Sequence, residues 1–216
     1  IKPSKQAMVS LIKGGAFDNM MDRKLLMGWY IWETCDKKSR ITLQNMSSLI
    51  KYKLLPEDIY VKGVNVANNL FHARYSVISK KYMYFINMEE YDPVTRNIIL
   101  QYGKKIDINL LKEASKYLIG KHDFKSFTSD NEKESTIRTI NYINFEIDKN
   151  LCKIYISGDG FLKYMVRNIV GLFLEINDGI KSVNDVNKVL ESKDRTKLGK
   201  KALPNGLYLE EVIYDE

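Results

Sequence analysis

The sequence predicts an α+β fold in which an antiparallel sheet is covered by helices on one face. The run Thr136 to Asp148 alternates apolar and polar residues at the two-residue period of a strand, and a turn at residues 148–150 leads into a second strand, Leu151 to Ser157. After the breaker Gly-Asp-Gly at 158–160, apolar residues recur at helical spacing from Phe161 to Ile176. A hairpin followed by an amphipathic helix is typical of a sheet with one covered face.

Three further strands are predicted at Ile59–Val66, Lys81–Met88 and Leu207–Tyr214. Because side chains alternate along a strand, the second of these places on one face Tyr82, Tyr84, Ile86 and Met88. The same period applied to the strand that begins at Thr136 places on one side Ile137, Ile143, Phe145 and Ile147.

Helices are expected between these strands. One runs from the N-cap Asp107 to a stop at Gly120, and Ser182 with Asp185 three residues later caps another. In the helix from Phe161, the apolar stripe comprises Phe161, Met165, Ile169, Leu172 and Ile176. The other side presents Lys163, Tyr164, Arg167 and Gly171. Gly171 has no side chain, so another backbone or a ligand can come close there.

The chain changes character near residue 55. Before it, the pattern is that of a small helical segment, with Ser4 as a helix cap and the pair Gly14 and Gly15 as a helix stop. We therefore expect a helical segment at 1–53 and a larger region at 54–216, with a C-terminal domain at about 104–216.

Composition limits the function classes. The 216 residues are 44% hydrophobic and 28% charged, and no apolar run approaches the ~18 residues that cross a bilayer. With no secretory signal at the start, we expect a cytoplasmic protein. Cys35 and Cys152 are far apart and the histidines are only His72 and His122, which predicts neither a disulfide framework nor a metal site.

The formal charge of +7, from 34 Lys and Arg against 27 Asp and Glu, favours a polyanionic partner. A compositional bias of the source genome explains the same excess equally well. A local signal points the same way, because residues 71–84 interleave basic and aromatic side chains as nucleotide-binding surfaces do. Half-buried strands also favour that pattern. Arg167 has two interpretations as well: a bidentate partner for a carboxylate or phosphate, or a solvated arginine on an exposed helix face.

Seven runs stand in the order and approximate spacing of one known family: Leu55-Pro56-Glu57-Asp58-Ile59; Phe71-His72-Ala73-Arg74; Lys81-Tyr82-Met83-Tyr84; Asp123-Phe124-Lys125-Ser126-Phe127; Met165-Val166-Arg167-Asn168-Ile169-Val170-Gly171; Asp194-Arg195; and Gly206-Leu207-Tyr208-Leu209. From about residue 54 to its end, the chain resembles the bacterial-type tRNA pseudouridine synthase A family. The resemblance implies a ferredoxin-like pseudouridine synthase fold and a homodimer that converts uridine to pseudouridine in the anticodon stem-loop of tRNA, without cofactor or metal.

The resemblance also assigns roles to individual residues. Tyr82 would stack on the target uracil and take part in proton transfer, and Arg167 would pair with the catalytic carboxylate. Basic charge and proximity to the shared motifs indicate contacts with the RNA for His72, Arg74, Lys80, Lys81 and Lys163.

The chain departs from the family at its nucleophile. The family places an aspartate after arginine and threonine, and no Arg-Thr-Asp occurs in the 216 residues, where Ile140 and Lys197 follow the two Arg-Thr pairs. We therefore expect no catalysis by the chain as printed. The carboxylates nearest the shared motifs are Asp92, Asp123 and Asp159, of which Asp123 is expected in a turn or cap and Asp159 in a glycine-flanked turn.

Residues 1–53 do not resemble the family's first half. They resemble a fragment of a bacterial DNA polymerase III alpha subunit more closely, through the run 11–18 and the positions Arg23 and Leu25. Two alternatives follow: the chain is a non-catalytic RNA-binding module, or it is a chimeric fusion of a polymerase fragment with a pseudouridine synthase fragment.

Overall fold

The computed structural model describes residues 62, 67–129 and 135–215. It divides the chain into two compact units, 1–71 and 72–216, and every helix and strand named below belongs to the second. The predicted helices before residue 55 and nearly all of the predicted strand Ile59–Val66 lie outside the described residues. The same holds for the whole predicted helical segment 1–53, whose likeness to a polymerase fragment stays a prediction.

Six strands among the described residues form one sheet: β1 (Val77–Asn87), β2 (Leu100–Gln101), β3 (Gly120–Asp123), β4 (Ile137–Asp148), β5 (Leu151–Gly158) and β6 (Leu207–Tyr214). Their order is β2-β1-β5-β4-β3, and β6 also pairs with β1. All pairs are antiparallel except the short parallel pair of β1 and β2. The α+β fold with an antiparallel hairpin is therefore confirmed, although the sheet as a whole is mixed.

The hairpin of β4 and β5 contains a bulge that changes which side chains reach the core. Ile140 pairs with Gly158 and Tyr142 with Ser157, so Asn141 is an extra residue in β4. The alternation of faces shifts at that point. Ile143 is buried as predicted, but the prediction that Ile137 shares its face is wrong, because Ile137 precedes the bulge and is 49% exposed.

Three α-helices lie within the described residues: α1 (Ile108–Lys116), α2 (Met165–Asn177) and α3 (Asp185–Ser192). The predicted cap of α1 is confirmed, since the Asp107 carboxylate accepts hydrogen bonds from the amides of Asn109 and Leu110. The helix ends at Lys116, before the predicted stop, and Gly120 with its φ of +102° instead begins β3. At α3, the Asp185 carboxylate accepts hydrogen bonds from the amide and hydroxyl of Ser182, as in a capping box.

The helix predicted from Phe161 begins four residues later, at Met165. Tyr164 adopts a left-handed backbone with φ of 66°, which a right-handed helix cannot include. Phe161 therefore lies in the segment before α2 and does not belong to its apolar stripe. The remaining members of that stripe are all nearly inaccessible to solvent: Met165, Ile169, Leu172 and Ile176.

One continuous core lies between α2 and the sheet. The sheet contributes buried side chains at alternate positions, among them Tyr84 and Ile86 of β1 and Ile154 and Ile156 of β5. Each such side chain contributes roughly 1.5–3 kcal/mol relative to an exposed position. This packing fixes the first turn of α2 beside the middle of β1, which is where the candidate site lies.

Candidate functional site

A cavity of about 400 Å³ opens where β1, the first turn of α2 and the segment before β6 meet. Its lining combines aromatic, apolar and basic side chains: Tyr82, Phe161, Leu162, Lys163, Tyr164, Met165, Val166, Arg167, Pro204 and Leu207. The volume lies within the ~300–1,000 Å³ range of small-ligand sites. The structure thus brings together Tyr82 and Arg167, which are distant in the sequence.

Tyr82 forms one wall of this cavity. It lies on the helix-covered face of β1, half-buried, and its ring meets the Phe161 ring edge-on with centroids 5.2 Å apart. Burial raises the pKa of the Tyr82 hydroxyl above its usual value, so the hydroxyl is protonated at neutral pH. The wall therefore offers an aromatic surface and a neutral hydrogen-bond donor.

Arg167 lies in the first turn of α2 and is held in place by the segment 200–203. Its Nε donates to the Ala202 carbonyl oxygen at 2.8 Å, and the Ala202 amide donates to the Arg167 carbonyl at 3.1 Å. The side chain is half-buried and anchored through Nε, so Arg167 is not a fully exposed arginine of a helix surface. The two terminal nitrogens of Arg167 make no hydrogen bond to the described residues.

The 200–203 segment can approach α2 because residue 171 is glycine. A Cβ on Gly171 would overlap the Lys200 carbonyl oxygen and come within 3.0 Å of the Ala202 amide nitrogen. The expectation that another backbone comes close at Gly171 is confirmed. The far end of the segment is held by Tyr84, whose buried hydroxyl donates to the Leu203 carbonyl at 2.6 Å.

A buried polar network, which the sequence patterns did not reveal, supports the same region. Asn168 is 1% exposed and donates from Nδ2 to the Phe127 carbonyl at 2.7 Å. Its Oδ1 accepts from Nη2 of Arg195 at 3.2 Å, and Nη1 of Arg195 donates to the Gly199 carbonyl at 3.1 Å. The signal in the sequence was a lone asparagine inside an apolar helix, since buried amides need partners. Two residues of the shared motifs are thus structural.

The three carboxylates nearest the shared motifs serve the backbone and neighbouring side chains. Asp92 and Asp159 each accept an amide hydrogen bond of 2.9 Å. Asp123 accepts a hydrogen bond from the Thr136 hydroxyl and pairs with Lys193 at 3.1 Å; these contacts, led by the Thr136 hydrogen bond, hold the pKa of Asp123 below its usual range. None of the three lines the cavity, and no carboxylate is among its described lining residues.

Comparison of the sequence with known proteins places the chain in a family. A sequence model of the family described as tRNA pseudouridine synthase matches residues 114–215. The chain is 39% identical over 184 residues to tRNA pseudouridine synthase A of Clostridium acetobutylicum, covering 84% of this chain and 75% of that protein. The chain belongs to the tRNA pseudouridine synthase A family.

Further relatives agree with this assignment. The chain is 40% identical over 165 residues to tRNA pseudouridine synthase A 2 of Clostridium tetani, covering 76% of this chain and 66% of that protein. It is 38% identical over 164 residues to tRNA pseudouridine synthase A of Bacillus subtilis, covering 75% of this chain and 66% of the relative. The chain thus spans about two thirds to three quarters of the length of these members of the family.

The residues expected to contact RNA lie at different places on this family member. His72 begins a turn in which its Nδ1 accepts from the amides of Arg74 and Tyr75, at 3.0 and 3.3 Å. Arg74 is exposed, with its guanidinium 5.5 Å from the centre of the Tyr75 ring. Lys163 lines the cavity itself.

The two lysines of β1 point to opposite faces, because neighbouring side chains alternate along a strand. Lys80 shares the face of Tyr82 and is half-buried. Lys81 lies on the other face, where it pairs with Glu210 at 3.2 Å, and the hydrogen bond to Glu210 raises the pKa of Lys81. The structure thus brings Lys163 to the cavity with Tyr82 and Arg167, while Lys81 lies behind the sheet.

The remaining cysteine and the acidic and histidine side chains can be described for residues 67–129 and 135–215. Cys152 is fully buried, and burial raises the pKa of its thiol to about 12, so it carries no thiolate at neutral pH. The described residues contain no group of three or more His, Cys, Asp and Glu side chains that could hold a metal ion. No helix in residues 67–129 or 135–215 has the length and apolar character needed to cross a membrane.

Proposed function

We propose that this chain binds tRNA and accepts a uridine in the cavity between β1 and α2, and that its 216 residues do not complete the isomerisation to pseudouridine. One observation carries the proposal. Tyr82 and Arg167 line one cavity of nucleoside-binding size, and no carboxylate is among the described residues that surround it.

The chemistry explains why a carboxylate is required. Conversion of uridine to pseudouridine breaks the bond between the ribose C1′ and N1 of uracil, turns the base, and joins C1′ to C5. The hydrogen on C5 leaves as a proton and N1 gains one, so atoms and charge balance without a cofactor. An aspartate is the group that the family supplies against the ribose or the ring, and loss of a nucleophile costs many orders of magnitude in rate.

Tyr82 suits the recognition part of this reaction. A base that leaves its helical stack regains contact on an aromatic side chain, which is worth ~1–3 kcal/mol per base. Because burial raises its pKa, the Tyr82 hydroxyl can donate a hydrogen bond or pass on a proton, but it is not a phenolate at neutral pH. The Phe161 ring packs edge-on against the Tyr82 ring and so supports it from one side.

Arg167 suits the electrostatic part. Its Nε is already used by the Ala202 carbonyl, which leaves the two terminal nitrogens for a ligand. A guanidinium fixed in this way can bind a carboxylate through two parallel hydrogen bonds. We therefore propose that Arg167 pairs with the family's catalytic aspartate when a polypeptide that contains one completes the site.

Binding of tRNA tests the recognition half of the proposal. Affinity should fall steeply as salt rises, because phosphate contacts release counterions. Tyr82→Ala should weaken binding by ~5- to 150-fold, which corresponds to the loss of ~1–3 kcal/mol of stacking, whereas Tyr82→Phe should bind as the parent does. Tyr91→Ala is the matched control, since Tyr91 is 65% exposed and lies outside the cavity. Undetectable binding of tRNA at low ionic strength would refute this half.

A second measurement is the slope of log affinity for tRNA against log salt concentration in variants of the surface basic residues. Arg74→Ala should lower this slope by the amount that one phosphate contact contributes. Lys81→Ala should lower the slope less, because Glu210 already offsets part of the Lys81 charge.

The homodimer implied by the resemblance is likewise a proposal. Light scattering after size exclusion tests it by comparing the mass of the species in solution with the chain mass of 25.1 kDa. A species of one chain mass at micromolar concentration would contradict it.

A further inference from the structure

Three basic side chains converge on the ring of Tyr164 at the rim of the cavity. The Lys201 ammonium lies 3.6 Å from the ring centre. The Lys163 ammonium and the Arg167 guanidinium carbon each lie 5.5 Å from it. Tyr164, Lys163 and Arg167 also line the cavity, so the cluster and the proposed uridine site share one opening.

None of the three cations pairs with a carboxylate in the described part of the chain. The described ion pairs use other lysines, at positions 81, 104, 153, 181, 188 and 193. Like charges gathered at one place repel one another, and cation–π contacts at exposed sites return only ~0.5–1 kcal/mol each. A bound anion would remove this repulsion.

The backbone conformation of Tyr164 is a second observation that is consistent with a ligand site here. Its left-handed conformation is unfavourable for a residue with a Cβ, by roughly 1–2 kcal/mol, and strained residues of this kind concentrate at ligand sites. The side chain nevertheless stays 39% exposed, so burial of the ring does not explain the conformation. The conformation places an aromatic ring just before α2, with the Lys163 and Lys201 ammonium groups 5.5 and 3.6 Å from its centre.

We infer that Tyr164, Lys163 and Lys201 form a clamp for a backbone phosphate of the RNA, adjacent to the nucleotide in the cavity. The inference rests on the proposed function. The lysines supply the positive charge, and the ring fixes where the ammonium groups stand. The N-terminus of α2 adds its partial positive charge at the same position. The clamp orients the nucleotide so that its base faces Tyr82.

Lys201→Gln tests the clamp, because Lys201 is exposed and its removal should leave the fold intact. The matched control is Lys112→Gln, an exposed lysine of α1 outside the cavity lining. Affinity for tRNA is measured from 50 to 200 mM salt. Loss of one phosphate contact lowers the slope of log affinity against log salt by ~0.7–0.9. The ratio of the parent's affinity to that of Lys201→Gln should therefore fall about threefold between 50 and 200 mM salt. The control should keep the slope of the parent.

Two changes at residue 164 test the ring. Tyr164→Phe keeps the ring and should match the parent, whereas Tyr164→Gly removes it and also relieves the left-handed backbone. Tyr164→Gly should therefore unfold at equal or higher urea concentration and yet show the shallower salt slope. A parental slope in Lys201→Gln would overturn the clamp, and a parental slope in Tyr164→Gly would overturn the role of the ring. Absence of tRNA binding by the parent would instead refute the proposed function on which the clamp rests.

Discussion

Gly171→Ala should both destabilise the protein and disturb Arg167. An added Cβ would overlap the Lys200 carbonyl and lie 3.0 Å from the Ala202 amide nitrogen, so the 200–203 segment has to move outward. Overpacking of this kind costs ~1–3 kcal/mol. The two hydrogen bonds between Arg167 and Ala202 are worth ~1 kcal/mol each. Alanine recovers ~1 kcal/mol of helix propensity, which leaves a net loss of roughly 2–4 kcal/mol.

Urea unfolding followed by circular dichroism measures this loss. Gly160→Ala is a matched control, because a Cβ there would meet nothing closer than 3.7 Å. Replacement of glycine at an unstrained position should be neutral or raise the free energy of unfolding by ~0.4–1 kcal/mol. If Gly171→Ala proved more stable than the parent by the ~1 kcal/mol of helix propensity alone, the close approach of the 200–203 segment to α2 would be refuted.

Two further changes test the core and the electrostatics. Met165→Glu places a carboxylate at a position with 0% exposure. Because burial of an unpaired charge costs several kcal/mol, the cooperative thermal transition should be lost. A melting curve like that of the parent would contradict the packing of α2. For Asp123, the folded pKa lies below the unfolded value of ~3.9, so its stabilising contribution is present above that pH and is lost as pH falls through the folded pKa. The difference in free energy of unfolding between parent and Asp123→Asn should therefore shrink from pH 7 to pH 3, and a constant difference would refute this assignment.

Periodicity predicted the elements that bury one face over many residues. The strand Leu207–Tyr214 has the predicted bounds, and the hairpin of β4 and β5 agrees within one residue. β2 and β3 were not predicted, because strands of two and four residues are too short to show a period. Local backbone conformation accounts for the errors inside longer elements: the bulge at Asn141 moved Ile137 to the other face, and the positive φ of Tyr164 delayed the start of α2.

The sequence predicted some features of the candidate site and not others. Residue type and motif order pointed to Tyr82 and Arg167, and the structure places both at one cavity. The contacts that hold Arg167 come from the backbone of Ala202, and a backbone carbonyl has no signature in a sequence. For the same reason the sequence did not reveal that Lys201 would reach the ring of Tyr164, since only the close approach at Gly171 brings that segment there.

The most direct test of the account is the amount of pseudouridine formed in unmodified tRNA. The 216-residue chain, prepared from a host without its own tRNA pseudouridine synthase A, should leave the nucleoside composition of bound tRNA unchanged by mass spectrometry. Replacement of residues 1–53 by the N-terminal half of the Clostridium acetobutylicum relative should give many turnovers, and Arg167→Ala in that chimera should abolish them. Formation of more pseudouridine than there is protein by the 216-residue chain alone would contradict the account, because a nucleophile would then be present among these residues.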